Sequence, residues 1–339
     1  MENGNILISV VIPLYNKAHT IVKTLDTVFA QTYQNFEIVI VDDGSTDNGV
    51  QIICDNFNDS RIRIVRQKNS GVSAARNRGV DEAKGEYVAF LDGDDEWHPN
   101  YLETMLDLTN QYPSAGLFLC GGLVQNANGC ISIRIAKGYE GYKGVIQLFQ
   151  NPEVFSHTSA TIVNRRLFNK THRFIPGMCK FEDFLASQAL ALITEVVYCG
   201  LPLTKYVGGI EGQLTVRNRT NPKAEESVLL YYNQIVEDSI NVKGNIDNSL
   251  SIYLKYNIRH LFKTYIQSGN IGEIEVKWSA FSKTLRDIFP FNEIRICKMN
   301  PHLYELYINM TKLVWRLHGF PRMLQSINPQ KIDNNLLNW

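Results

Sequence analysis

The sequence lacks a charge of either sign in excess: 34 Lys and Arg stand against 34 Asp and Glu across 339 residues. That balance argues against a polyphosphate partner, and no nucleic acid is expected. No C-x-x-C pair occurs among the six cysteines, Cys54, Cys120, Cys130, Cys179, Cys199 and Cys297. A disulfide framework and a thiolate zinc site both lose their footing, and reduced thiols are the plain expectation. The longest uncharged stretch, Leu108 to Ile133, is broken by Pro113, glycines and asparagines, so it does not read as a membrane span. Met1 to Asn5 is short and polar and leads straight into an apolar run, which predicts no signal peptide and a cytoplasmic protein. Neither G-x-G-x-x-G nor a Walker loop is present, so dinucleotide and P-loop readings fail. The seven histidines form no H-x-x-x-H pair and default to structural duty. His157, which precedes an apolar segment, is a candidate for the acceptor side.

What the sequence does have is a 44% apolar content, enough for a large core, and a regular alternation over its first hundred residues. Ile8–Pro13, Phe36–Val41, Ile62–Val65 and Tyr87–Leu91 are short apolar runs of the kind that form strands covered on both faces. Helical spacing falls between them, at about 18–31, 49–57 and 72–83. This strand–helix repetition predicts right-handed crossovers and a mostly parallel central sheet with helices on both faces. Beyond Asn100 the pattern is mixed. A helix to about Tyr112 precedes apolar segments near 116–124 and 131–135 that read as antiparallel strands. Helical spacing returns at 181–193 and again from about 223 to 320, and the polar, basic segment 215–222 marks a boundary.

Polar residues gather where the strands end, which is where open α/β sheets bind ligands. Asp42-Asp43-Gly44-Ser45 closes one strand and, taken alone, serves equally well as a turn. Asp92-Gly93-Asp94-Asp95 puts three carboxylates at another strand end, a density that suits Mg²⁺ or Mn²⁺ held jointly with phosphates. Glu182-Asp183 opens a helix, where an acidic pair gains up to about 1 kcal/mol from the helix dipole and by itself needs no other purpose. Asn69 to Gly79 offers small residues and free amides at a helix start, with Arg76 and Arg78 able to pair with an anion.

Taken in order, Val10–Asn16, Gln31–Glu37, Val41–Asp47, Asn69–Asn77 and Phe90–Asp95 resemble the amino-terminal half of family 2 glycosyltransferases. Glu182-Asp183 follows about ninety residues later, as that family's acceptor-side motif does. The close resemblance covers roughly residues 6 to 112, and a looser one extends to about 215. It implies a GT-A fold, with residues 1–115 forming the nucleotide-sugar half, 116–219 the acceptor half and 220–339 a helical extension. It also implies an inverting transfer from a UDP-sugar to a glycan or lipid-linked saccharide, in polysaccharide biosynthesis.

Carried over residue by residue, Pro13 and Tyr15 flank the base and Asp43 accepts from the uracil imide. Asp92 binds the ribose or the sugar, and Arg76 contacts the diphosphate or the base. Asp94 ligates Mn²⁺ or Mg²⁺, while Asp183, with Glu182 beside it, is the general base. Two other functions compete. A phosphotransferase would use Asp92 and Asp94 as nucleophile and acid, but Asp95-Glu96 adds negative charge where a phosphate must approach. A sugar-nucleotide-binding pseudoenzyme would have lost the metal aspartate or the base, and both are present. The aromatic and basic stretch 303–318 reads as a helix packed back on the catalytic domain or as a peripheral contact with the cytoplasmic membrane face. Oligomeric state is left open.

Overall fold

The computed structural model describes residues 6–152, 154, 157–209, 222–297, 301–317 and 336. The four apolar runs become β1 (Ile8–Leu14), β2 (Phe36–Asp42), β3 (Ile62–Arg66) and β4 (Tyr87–Phe90). They are linked by α1 (Ile21–Phe29), α2 (Gly49–Asn56) and α3 (Val72–Glu82). β2 and β4 flank β1 in parallel, with Val11 opposite Val39 on one side and Phe90 on the other. Consecutive side chains of β1 enter different cores. Val10, Ile12 and Leu14 pack with Leu25 of α1, while Val11 packs with Ala75 and Val80 of α3. Burial on both faces explains why the run is nearly continuous rather than alternating. α3 lies so close that a Cβ on Gly79 would stand 2.2 Å from Val11 Cγ1.

β5 (Glu96–Trp97) and α4 (Tyr101–Gln111) follow. Then come β6 (Ala115–Gln125), β7 (Ile131–Arg134), β8 (Lys143–Ile146), β9 (Thr161–Asn164), α5 (Arg165–Phe168), α6 (Glu182–Ala191) and β10 (Glu195–Val207). All ten strands join one sheet in the order β3-β2-β1-β4-β9-β6-β10-β5, with β7 on β6 and β8 on β10. The expected parallel order holds from β3 to β4 and again between β6 and β10, while β5, β7, β8 and β9 pair antiparallel. The sheet is therefore mixed, because β9 enters beside β4 in the reverse direction. The sheet also runs through the expected division at 115/116, which falls inside β6. The division at 219/220 lies outside the described residues.

The described residues beyond β10 form the helices α7 (Pro222–Lys243), α8 (Asn248–Gln267), α9 (Glu273–Ser279), α10 (Lys283–Ile288), α11 (Phe291–Cys297) and α12 (Pro301–Leu317). Asp247 and Ser282 cap α8 and α10 by accepting from Leu250 N and Leu285 N. These helices build a third core around Ile235, Leu254, Ile258 and Phe262. α6 is shared between this core and the one on the α3 face of the sheet. Leu185 packs among the helices, whereas Ala186 and Leu190 pack on the sheet.

Candidate active site

The carboxyl ends of β1, β2 and β4 lie side by side, so their terminal residues share one edge. At the end of β2, Asp43 is buried and organises the loop that leads into α3. Its Oδ1 accepts from Gln67 Nε2 at 2.7 Å and Ser70 N at 2.8 Å, and Oδ2 accepts from Gly71 N at 2.9 Å. A carboxylate offers about four acceptor positions, so one remains on Oδ2. Asp42 turns back to accept from Ser45 N at 2.9 Å. Pro13 and Tyr15, both half-buried, close β1 beside this loop.

The Asp92–Asp95 turn at the end of β4 is held from two directions. From α1, Thr20 Oγ1 donates to Gly93 O at 2.7 Å and Thr24 Oγ1 to Asp95 O at 2.9 Å. From the start of β9, Ser159 Oγ accepts from Asp92 N at 3.1 Å and donates to Asp95 Oδ2 at 2.5 Å. The three carboxylates have three different fates. Asp95 is buried, and burial together with the charges of Asp94 and Asp92 pushes its pKa well above the usual carboxylate range. Asp94 is paired with Lys17 Nζ at 2.5 Å. Asp92, the most exposed of the three, meets Arg76. His157 stands beneath the turn rather than facing an acceptor. Its Nδ1 is 3.8 Å from Asp95 Oδ2, its Nε2 is 3.0 Å from Thr204 Oγ1, and burial lowers its pKa to about 4.

Arg76 does not project from the loop as an open anion contact. Its guanidinium is buried, 5.3 Å from the centre of the Phe174 ring. Nη2 spans both oxygens of Asp92 at 2.8 and 3.0 Å, and Nη1 reaches Glu182 Oε1 at 3.2 Å. It thus ties the Asp92–Asp95 turn to the first residue of α6, across 106 positions of sequence. Phe181, just before α6, adopts a left-handed conformation at φ 65°, unusual for an aromatic residue. Such a conformation costs of order 1 kcal/mol and marks a backbone held by its surroundings. Asp183, two residues on, has its carboxyl pushed above the usual aspartate range. Burial and the Glu182 carboxylate push its pKa up to about 7, against the Arg76 guanidinium, which pulls it down.

The edge therefore gathers Pro13, Tyr15, Asp43, Asp92 and Asp94 from the strand ends, and Arg76 joins Asp92 to the Glu182-Asp183 helix start. Sequence reasoning did not single out Lys17 or Ser159, because their partners are 77 and 64 residues away. Among the described residues no group of three or more His, Cys, Asp or Glu is placed to hold a cation. The mode that would suit Mn²⁺ or Mg²⁺ at this turn is the one in which a single carboxylate acts with substrate phosphates and water.

Comparisons with known proteins bear on the family and the fold. The family model described as Glycosyl transferase family 2 matches residues 9–172. The amylovoran biosynthesis glycosyltransferase AmsB of Erwinia amylovora is 40% identical over 212 residues, 60% of this chain and 70% of that protein. Glycosyltransferase GlyG of Streptococcus pneumoniae is 48% identical over 102 residues, 29% of this chain and 34% of that protein, so the chain spans about a third of that relative's length. Among solved structures, S. aureus TarS 1–349 in complex with UDP-GlcNAc superposes with a TM-score of 0.69 at 18% identity, covering 91% of this chain and 92% of that one. That likeness extends the fold, the expected GT-A fold, into the helical region. The chain belongs to glycosyl transferase family 2.

Proposed function

We propose that this chain transfers a hexose or N-acetylhexosamine from a UDP-sugar to a hydroxyl of a glycan or lipid-linked saccharide, with inversion, in polysaccharide biosynthesis. The observation that carries the reading is the Arg76 bridge, whose buried guanidinium joins Asp92 at the end of β4 to Glu182 at the start of α6, beside an Asp183 carboxyl raised by burial and by Glu182. Relatives named for glycosyl transfer and a fold neighbour solved with UDP and with UDP-GlcNAc support it. In this reading residues 1–115 bind the donor, 116–219 present the acceptor, and 220–339 buttress α6.

Tyr15 and Pro13 bracket the uracil, and the remaining acceptor position on Asp43 Oδ2 accepts a hydrogen bond from its imide N–H. Asp92, oriented by Arg76, binds ribose or sugar hydroxyls, and Asp94 holds Mn²⁺ or Mg²⁺. The cation, when bound, stabilises charge on the departing diphosphate. Asp183 takes the proton of the attacking hydroxyl, and its raised pKa places it near the operating pH, where a general base is most effective. Arg76 and Glu182 hold that helix start in place. One displacement with one base inverts the anomeric centre, by the logic that separates the two carboxylates of inverting glycosidases.

The test is UDP release from a panel of UDP-glucose, UDP-galactose and their N-acetyl forms, with Mn²⁺, with EDTA, and with Asp94→Ala. Metal-dependent release from one sugar, lost in Asp94→Ala, is expected. Folded protein that neither releases UDP nor gains melting temperature from UDP with Mn²⁺ would remove the uridine and metal assignments together.

A further inference from the structure

Asp94 lies between two other carboxylates of its turn and is 9% exposed, so it needs a positive partner at all times. The structure supplies one from the neighbouring strand end: Lys17 Nζ, 2.5 Å away and itself only 13% exposed. That aim is built into the backbone. Asn16 adopts φ 52°, and the following loop locks it there. Its Oδ1 accepts from Thr46 N at 2.8 Å and Asp47 N at 3.3 Å, and its N donates to Ser45 Oγ at 3.1 Å. On the other side, Lys17 O accepts from Thr20 N and Ile21 N at 3.1 and 3.0 Å, at the start of α1. The stem then runs along Gly93, where an added Cβ would touch Lys17 Cγ and Cβ at 3.5 and 3.6 Å. The backbone is pinned at both ends, yet the ammonium hangs on a flexible four-carbon stem.

We propose that Lys17 is the resident counter-charge of Asp94, displaced when a divalent cation enters with the nucleotide sugar and then turned onto the diphosphate. The inference rests on the metal role given above to Asp94. An ammonium and a divalent cation cannot both occupy the contact with one carboxylate oxygen, and at this burial their repulsion is only partly screened. Lys17 therefore opposes binding of the bare cation. It favours the cation arriving with the diphosphate, whose negative charge offers the displaced ammonium a new partner. The donor-free turn stays neutralised without metal.

The experiment measures Mn²⁺ binding to the donor-free protein, from the loss of the free-ion paramagnetic resonance signal, for wild type, Lys17→Met, Lys17→Arg and Asp94→Asn. UDP affinity in EDTA is measured alongside, and circular dichroism checks each fold. Lys17→Met is expected to bind bare Mn²⁺ about fivefold more tightly, the scale of one partly exposed ion pair, and to bind UDP in EDTA more weakly. Lys17→Arg keeps the charge and stays near wild type in both. Bare Mn²⁺ affinity in Lys17→Met equal to or weaker than wild type overturns the proposal. Asp94→Asn separates this failure from that of the parent reading. If it leaves the metal dependence of UDP binding intact, the metal is not at Asp94. If it abolishes that dependence while Lys17→Met behaves as wild type, the role of Lys17 alone is wrong.

Discussion

At the scale of single residues, the proposed chemistry turns on Arg76 and Asp183. The Asp183 carboxyl is raised by burial and by Glu182 and lowered by Arg76, so its state reports on both neighbours. A general base works only when deprotonated. The rate of transfer is therefore expected to rise about tenfold per pH unit below pH ~7 and to level off above it. Arg76→Gln removes the group that pulls this pKa down, so the midpoint of the rate profile moves up. The same change leaves Asp92 and Glu182 without their shared cation, which costs about 3 kcal/mol in urea denaturation. Arg76→Lys keeps the charge and serves as the control that folds: its midpoint stays nearer 7. An unmoved midpoint in Arg76→Gln would mean that the guanidinium does not act on the base.

At the scale of elements, β1, β2 and β4 are legible because burial on both faces writes them as nearly unbroken apolar runs. Their last residues are legible for the same reason, since carboxylates ending such runs stand out. β5 is only two residues long and exists through its pairing of Trp97 with Thr204, so no local pattern announces it. β10 pairs with β6 through register shifts between Cys199 and Thr204, which blur its period. The site was readable as a set of acids but not as a circuit. Lys17, Ser159 and the Glu182 end of Arg76 meet their partners only through the order of strands in the sheet. α6 depends on its neighbours in the same way. Gln188 accepts from Tyr231 Oη at 2.9 Å and donates to Tyr253 Oη at 2.7 Å, joining α6 to α7 and α8. Gln188→Ala removes that shared partner from two buried hydroxyls, an expected loss of about 2–4 kcal/mol in urea denaturation. A loss below about 0.5 kcal/mol would show that this link does not hold α6.

At the scale of the whole molecule, the α/β core supplies the edge and the helical core backs α6, the helix that opens with Glu182 and Asp183. The outermost helix faces two ways. Tyr304 and Ile308 of α12 pack inward, with Tyr304 Oη donating to Arg259 O at 3.1 Å, while Leu303, Leu306 and Met310 are exposed. The inward packing is on the helical core rather than directly on the sheet. Side chains from Lys312 onward, including Trp315, Arg316 and His318, lie outside the described residues. Among the described residues no helix is long and apolar enough to cross a membrane. The exposed stripe is the surface on which we propose a peripheral contact with the cytoplasmic membrane face. Flotation of the purified chain with anionic liposomes, weakened by Leu306→Lys, is the expected sign, and a chain that stays at the bottom of the gradient contradicts it. The central claim, however, concerns the base. With the donor found in the UDP-sugar panel, Asp183→Asn should still gain melting temperature from UDP and Mn²⁺ as the wild type does. Its UDP release should fall by about 10²–10⁴-fold. Release at the wild-type rate would contradict the account, because a general base of pKa about 7 could not then be the group that the buried network exists to hold.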